Sequence, residues 1–174
     1  MTVGLQLPSL RRPPLAAGGF VATRWASAED KARMGDAILA FVARGMPRSG
    51  WTRPLYNRLS QMFGFIAQHD IHGFWQVHFA STAGRIAFLE QIARYPCWGQ
   101  PTAVWSDVER EIRSRVLESG LIAAYRAQER QEAACAEREE LARLLAKHGA
   151  RPHGDRDLHA AAAMRAGGPQ LALL

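Results

Sequence analysis

The chain has 174 residues, 48% of them apolar and 22% charged, enough for one domain with its own core and too apolar for wholesale disorder. Its two cysteines, Cys97 and Cys135, make no CxxC pair and no disulfide framework, and no run approaches the roughly 18–20 apolar residues of a membrane span. The net charge of +6 is gathered in the first third: residues 1–58 hold nine basic and three acidic side chains, 59–105 two of each, 106–148 eight and nine, and 149–174 three and two.

Residues 1–26 read as an extended basic arm. Pro8, Pro13 and Pro14 deny helix continuity, Gly18-Gly19 punctuates, and the pair Arg11-Arg12 lies in the middle. Little in it would pack a core, apart from Leu5, Leu7 or Phe20 laid onto the domain. The stretch lacks the apolar centre of a signal peptide, so the expectation is a cytoplasmic chain with two ordinary free thiols and no membrane association.

A helical domain is expected over residues 27–148. Ser27 and Asp30 stand at the spacing of a capping box, with Asp in place of the usual Glu or Gln. Ile38, Leu39 and Val42 follow with the spacing of a buried helical stripe, and Gly45 and Pro47 end the helix. Residues 44–54 are a loop by their Gly and Pro content. A second helix starts near Pro54, since proline is tolerated in a first turn, and Leu55, Leu59, Met62, Phe63 and Ile66 form its apolar face. Asp70 to Gly73 reads as a turn, Phe74 to Phe79 as a short aromatic helix, and 82–95 as a helix with Ile86, Leu89, Ile92 and Ala93 inward.

Residues 97–101 make a loop. Ser106 and Glu109 match a second capping box before the stripe Val108, Ile112 and Val116. Gly120 kinks or breaks the helix, which resumes at Leu121 and runs to about His148. Residues 126–140 hold strong helix formers and few large apolar side chains, with Glu109–Arg113, Glu111–Arg115 and Glu139–Arg143 in the favourable i, i+4 order. A partly exposed helix, packed at both ends, fits this better than a coiled coil, because no heptad is sustained. Residues 149–174 read as a loosely ordered tail. The fold class is all-α, an irregular bundle of five or six helices with a long charged C-terminal helix and flexible termini.

Catalytic chemistry finds little support. His69, His72 and His78 lie within ten residues, and a zinc site would use three such ligands, but no HExxH spacing is present. Cys97 with one of these histidines would make a nucleophile pair only if the fold joined them. The glycines match neither a dinucleotide nor a phosphate loop. The expectation is a non-enzymatic protein with no catalytic residues, no metal and no cofactor; a small helical enzyme using the His69/His72/His78 or Cys97 region is an alternative.

The most specific pattern is a strip of Arg44, Arg48, Arg53 and Arg58, interleaved with Trp51 and Tyr56, with no acidic residue between Asp36 and Asp70. Arginine supplies 20 of the 22 basic residues. That bias fits a GC-rich coding sequence, but coding bias does not select one third of the chain. Guanidinium groups bind phosphates and aromatic rings stack on bases. The expected partner is therefore anionic, a nucleic acid or an acidic protein surface, meeting this strip with Arg11 and Arg12 on the arm. Trp51 would supply stacking or an anchor. The alternative anchors Trp51 and Tyr56 on the core and leaves the arginines solvated or paired with acids of the long helix. The general style is that of a bacterial, phage or plasmid protein working by protein–protein interaction, and a second binding hypothesis follows: an inhibitor or adaptor that docks its long helix on a nucleic-acid-processing defence enzyme. Trp75, Phe74 and Phe79 form an aromatic cluster read as core rather than as a binding patch.

Overall fold

A computed structural model describes Leu10 and residues 13–148, and the regular structure of these is entirely helical. Six α-helices run in order: α1 (Ala28–Ala43), α2 (Arg53–Met62), α3 (Ile71–His78), α4 (Thr82–Arg94), α5 (Ser106–Glu118) and α6 (Leu121–His148). Short 3-10 turns stand at Ala17–Gly19, Arg48–Gly50 and Gly64–Gln68. The chain divides into two units, residues 1–131 and 132–174. No helix of the described residues is long and apolar enough to cross a membrane.

Local chemistry explains the ends of α1. Ser27 Oγ accepts from the Asp30 N–H and the Asp30 carboxylate accepts from the Ser27 N–H, each at 3.1 Å, so the expected capping box forms. At the other end the Met46 N–H donates to Phe41 O and the Gly45 N–H to Val42 O. This is a Schellman closure, and it needs the left-handed backbone that Gly45 adopts at φ 80°. Thr52 and Pro54 start α2 as the sequence suggests.

Two expected starts and one expected end are corrected. Residues 70–73 are not a free turn: Asp70 caps α3 by accepting the Gly73 N–H at 2.6 Å, and α3 begins at Ile71. A good cap outweighs the helix cost of one glycine. The second capping box is absent. Ser106 lies inside α5 and donates its hydroxyl to Gly99 O, while Glu109 turns into the interior. The apolar run after Met62 does not extend α2; Gly64–Gln68 tightens into a 3-10 turn that buries Ile66. The break at Gly120 is present, with φ 70° between α5 and α6.

The core of the first unit is aromatic. Phe41, Phe63, Phe74, Phe79 and Phe88 are fully buried, and Trp51 joins them. Its indole stacks on Phe41 at 5.7 Å and on Phe74 at 5.6 Å, and meets Phe79 edge-on at 4.9 Å. The aromatic cluster of α3 is therefore core at Phe74 and Phe79 and half-buried at Trp75.

The described part of the segment before α1, Leu10 and residues 13–26, docks on the first unit. Leu10 and Leu15 are buried, and the Leu15 N–H donates to Asp36. Pro13 O accepts from Arg115, and the Val21 N–H donates to Asp107. Two leucines and a set of backbone bonds outweigh the prolines, which forbid helix but not docking. Arg11, Arg12 and the tail 149–174 lie outside the described residues.

Lys31 ties three parts of this unit together. It is fully buried, and its ammonium donates to Pro101 O, Val104 O and the Asp107 carboxylate at 2.8–3.1 Å. In α6, Leu121 and Tyr125 are buried against the core, but every residue from Cys135 to His148 is exposed. The start of that helix is thus packed as expected. Arg115 pairs with Glu111 as expected, whereas Arg143 pairs with Glu140 rather than Glu139 and Arg113 donates to Tyr95 O.

Candidate functional site

The arginine strip follows the turn from α1 into α2. Arg44 is the C-cap of α1, where a cation complements the negative helix end. Arg48 opens the 3-10 turn, Arg53 is the first residue of α2, and Arg58 lies one and a half turns further on. On α2, Leu59 and Met62 mark the buried face; at 3.6 residues per turn Tyr56 and Arg58 flank it on opposite sides, and Arg53 and Asn57 face water.

Of the roles expected for Trp51, burial leaves the anchor. The residue is 6% exposed and its indole N–H donates to Ile71 O at 2.7 Å, so no face remains for a base. Tyr56 acts likewise, its hydroxyl donating to His69 O at 2.7 Å and its ring meeting Trp51 edge-on. The aromatics that alternate with the arginines in sequence thus point inward and hold the loop.

The arginines are matched instead by tryptophans from other elements. The Arg48 guanidinium lies over the Trp75 ring of α3 at 4.7 Å and donates to His72 at 3.2 Å. Arg58 lies over Trp105, just before α5, at 4.8 Å, and donates to Gln61. Stacking uses the flat face of a guanidinium and leaves most of its five in-plane N–H donors free. The structure therefore splits the strip between an Arg48 side and an Arg58 side, with Arg44 and Arg53 exposed.

No carboxylate among the described residues neutralises these four arginines. The ion pairs engage Lys31, Arg33, Arg94, Arg115, Arg126 and Arg143.

Beside Arg58 lies a hollow of about 420 Å³ lined by Trp25, Asp30, Arg33, Met34 and Trp105 among others. Trp25 is 77% exposed and has Arg24 over its ring at 5.8 Å. Sequence reasoning missed Trp25 and Trp105. The signal available was Arg24-Trp25 directly before a helix cap, but nothing in a sequence distinguishes an exposed indole from a buried one. A second hollow of about 490 Å³ runs along α5 with Asp107, Arg110, Glu111 and Arg113. Its charges alternate, and it concentrates neither sign.

His69 and His78 are neighbours, their ring centroids 6.1 Å apart. His69 and His72 are exposed, whereas His78 is buried 4.3 Å from the Phe74 ring, where loss of water, then His69, pulls its pKa down. Cys97 lies apart in the loop before α5, donating to Tyr95 O, and burial pushes its thiol up, away from an activated thiolate. No three His, Cys, Asp or Glu side chains among the described residues converge on a metal position. Neither hollow is lined by a histidine or a cysteine.

Comparison with protein-family models, with curated proteins and with solved structures finds no match to the chain.

Proposed function

We propose that the chain is a nucleic-acid-binding protein that meets phosphates with Arg44, Arg48, Arg53 and Arg58 and carries out no chemistry of its own. The observation that supports this reading is the set of four guanidinium groups without a carboxylate partner among the described residues, two of them braced on tryptophans. Bracing lowers the conformational entropy lost on binding, and the free edge donors suit phosphate oxygens. Steering by the positive first third would speed encounter. Arg11 and Arg12 would add to the same charge.

The test is binding of labelled single- and double-stranded oligonucleotides to the wild type and to Arg44→Ala/Arg48→Ala/Arg53→Ala. The expected result is a loss of about 10- to 100-fold at 0.1 M salt, as three phosphate contacts vanish, with a melting temperature lowered by only a few degrees as the Arg44 cap and the Arg48–Trp75 contact are lost. Equal binding by the variant would contradict the reading and favour an acidic protein surface as the partner of the strip.

A second reading has its own observation. Leu141, Leu144 and Leu145 are 40–57% exposed on one face of α6, at the i, i+3, i+4 spacing with which a helix fills an apolar groove. An inhibitor or adaptor docking this face on a nucleic-acid-processing protein would lose its partner on Leu141→Glu/Leu145→Glu. Co-purification that survives this double change would remove the reading.

A further inference from the structure

We propose that the hollow between Trp25 and Trp105 is a nucleobase site that takes one unpaired nucleotide of a single strand. The proposal rests on the nucleic-acid reading above and names the strand type and the place where a base would sit.

Trp25 is the first ground. A large indole left 77% exposed forgoes a substantial hydrophobic gain, and exposed apolar surface rimmed by polar groups marks interaction sites. Its backbone is not loose. The N–H groups of Trp25 and Ala26 both donate to Thr23 Oγ1, and the Thr23 N–H donates to Ala26 O at 2.8 Å. The capping box of α1 follows at once. The indole is thus presented by a hydrogen-bonded turn.

The second ground is what faces it. The Arg58 guanidinium lies over the Trp105 ring at 4.8 Å, and both line the same hollow as Trp25. Bases stack on indoles and on arginine planes alike. Arg24 and Arg33 add positive charge, and Asp30, the acid of the lining, is held by Arg33 and the Ser27 cap.

Together these select the ligand. A cation would meet Arg58 and the Arg33 of the Arg33–Asp30 pair, and a purely apolar molecule would strip water from them without return. A flat, neutral ring tethered to an anionic phosphate satisfies both indoles and guanidiniums, and a nucleotide is that chemistry. About 420 Å³ lies in the range of small-ligand sites. Bases of a duplex are already stacked on each other, which leaves the unpaired strand.

The experiment compares a single-stranded oligonucleotide with an abasic strand of the same length, and with AMP, on wild type, Trp25→Ala and Trp25→Phe. The wild type should bind the base-bearing strand about 5- to 100-fold more tightly than the abasic one. Trp25→Ala should remove that preference and leave abasic binding and its salt slope unchanged. Trp25→Phe should keep part of it. Equal affinity for both strands in the wild type, or a preference untouched by Trp25→Ala, would overturn the base site while leaving the phosphate reading intact. AMP binding as tightly as the strand would overturn the strand assignment in favour of a free nucleotide. Failure to bind either strand would sink both the site and the nucleic-acid reading.

Discussion

Glu109 is 4% exposed, and its Oε2 finds no hydrogen-bond partner among the described residues. Loss of water raises its pKa to about 7, helped by Asp107 and opposed by Arg110 and Lys31. The folded protein thus binds this proton more tightly than the unfolded chain. The contribution of Glu109 to stability is most favourable below the ordinary carboxylate range and declines as pH rises from about 4.5 to 7, after which the penalty is complete. Glu109→Gln should gain about 1–3 kcal/mol at pH 8 and almost nothing at pH 4.5, read from denaturant melts at the two values. A gain equal at both values would contradict the assignment. None of this was legible in the sequence, where Glu109 matched a capping box three residues after Ser106. The interior claimed it because α5 starts with Ser106 already bonded to Gly99 O. Trp51 and Tyr56 misled in the same way: their spacing among arginines was readable, but the direction of their rings depends on contacts with Ile71 and His69 that the chain forms only when folded.

At the scale of elements, local signals were read well and long-range docking was not. The capping box at Ser27, the Gly45 closure, the Pro54 start and the break at Gly120 are decided by neighbours within five residues. The docking of residues 13–21 is held by Asp36, Asp107 and Arg115, which bond Leu15, Val21 and Pro13 across 21 to 102 residues. Lys31 belongs to that second class. Its ammonium joins α1 to the loop at Pro101 and Val104 and to Asp107 at the start of α5. Removing one member of a buried pair leaves a bare charge, so Lys31→Ala should cost about 3–5 kcal/mol. Adding Asp107→Asn to that variant should restore part of the loss. A cost below about 1 kcal/mol for the single change would show that the ammonium does not hold these elements together.

For the molecule as a whole, the uneven charge carried over into structure. The acids of the described chain pair largely outside the strip, which leaves Arg44, Arg48, Arg53 and Arg58 with their donors available. Large exposed apolar groups fall elsewhere, among them Trp25, Trp98, Leu117 and the leucine face of α6. The central claim is that phosphate contact at the strip provides the affinity, and the salt dependence of oligonucleotide binding measures that number of contacts directly. Between 0.05 and 0.2 M salt, the log–log slope of the wild type should be steeper than that of Arg48→Ala/Arg53→Ala/Arg58→Ala by about 2–3, close to one per arginine removed. Slopes that coincide, or binding at background in the wild type, would contradict the claim and turn attention to the exposed leucines of α6.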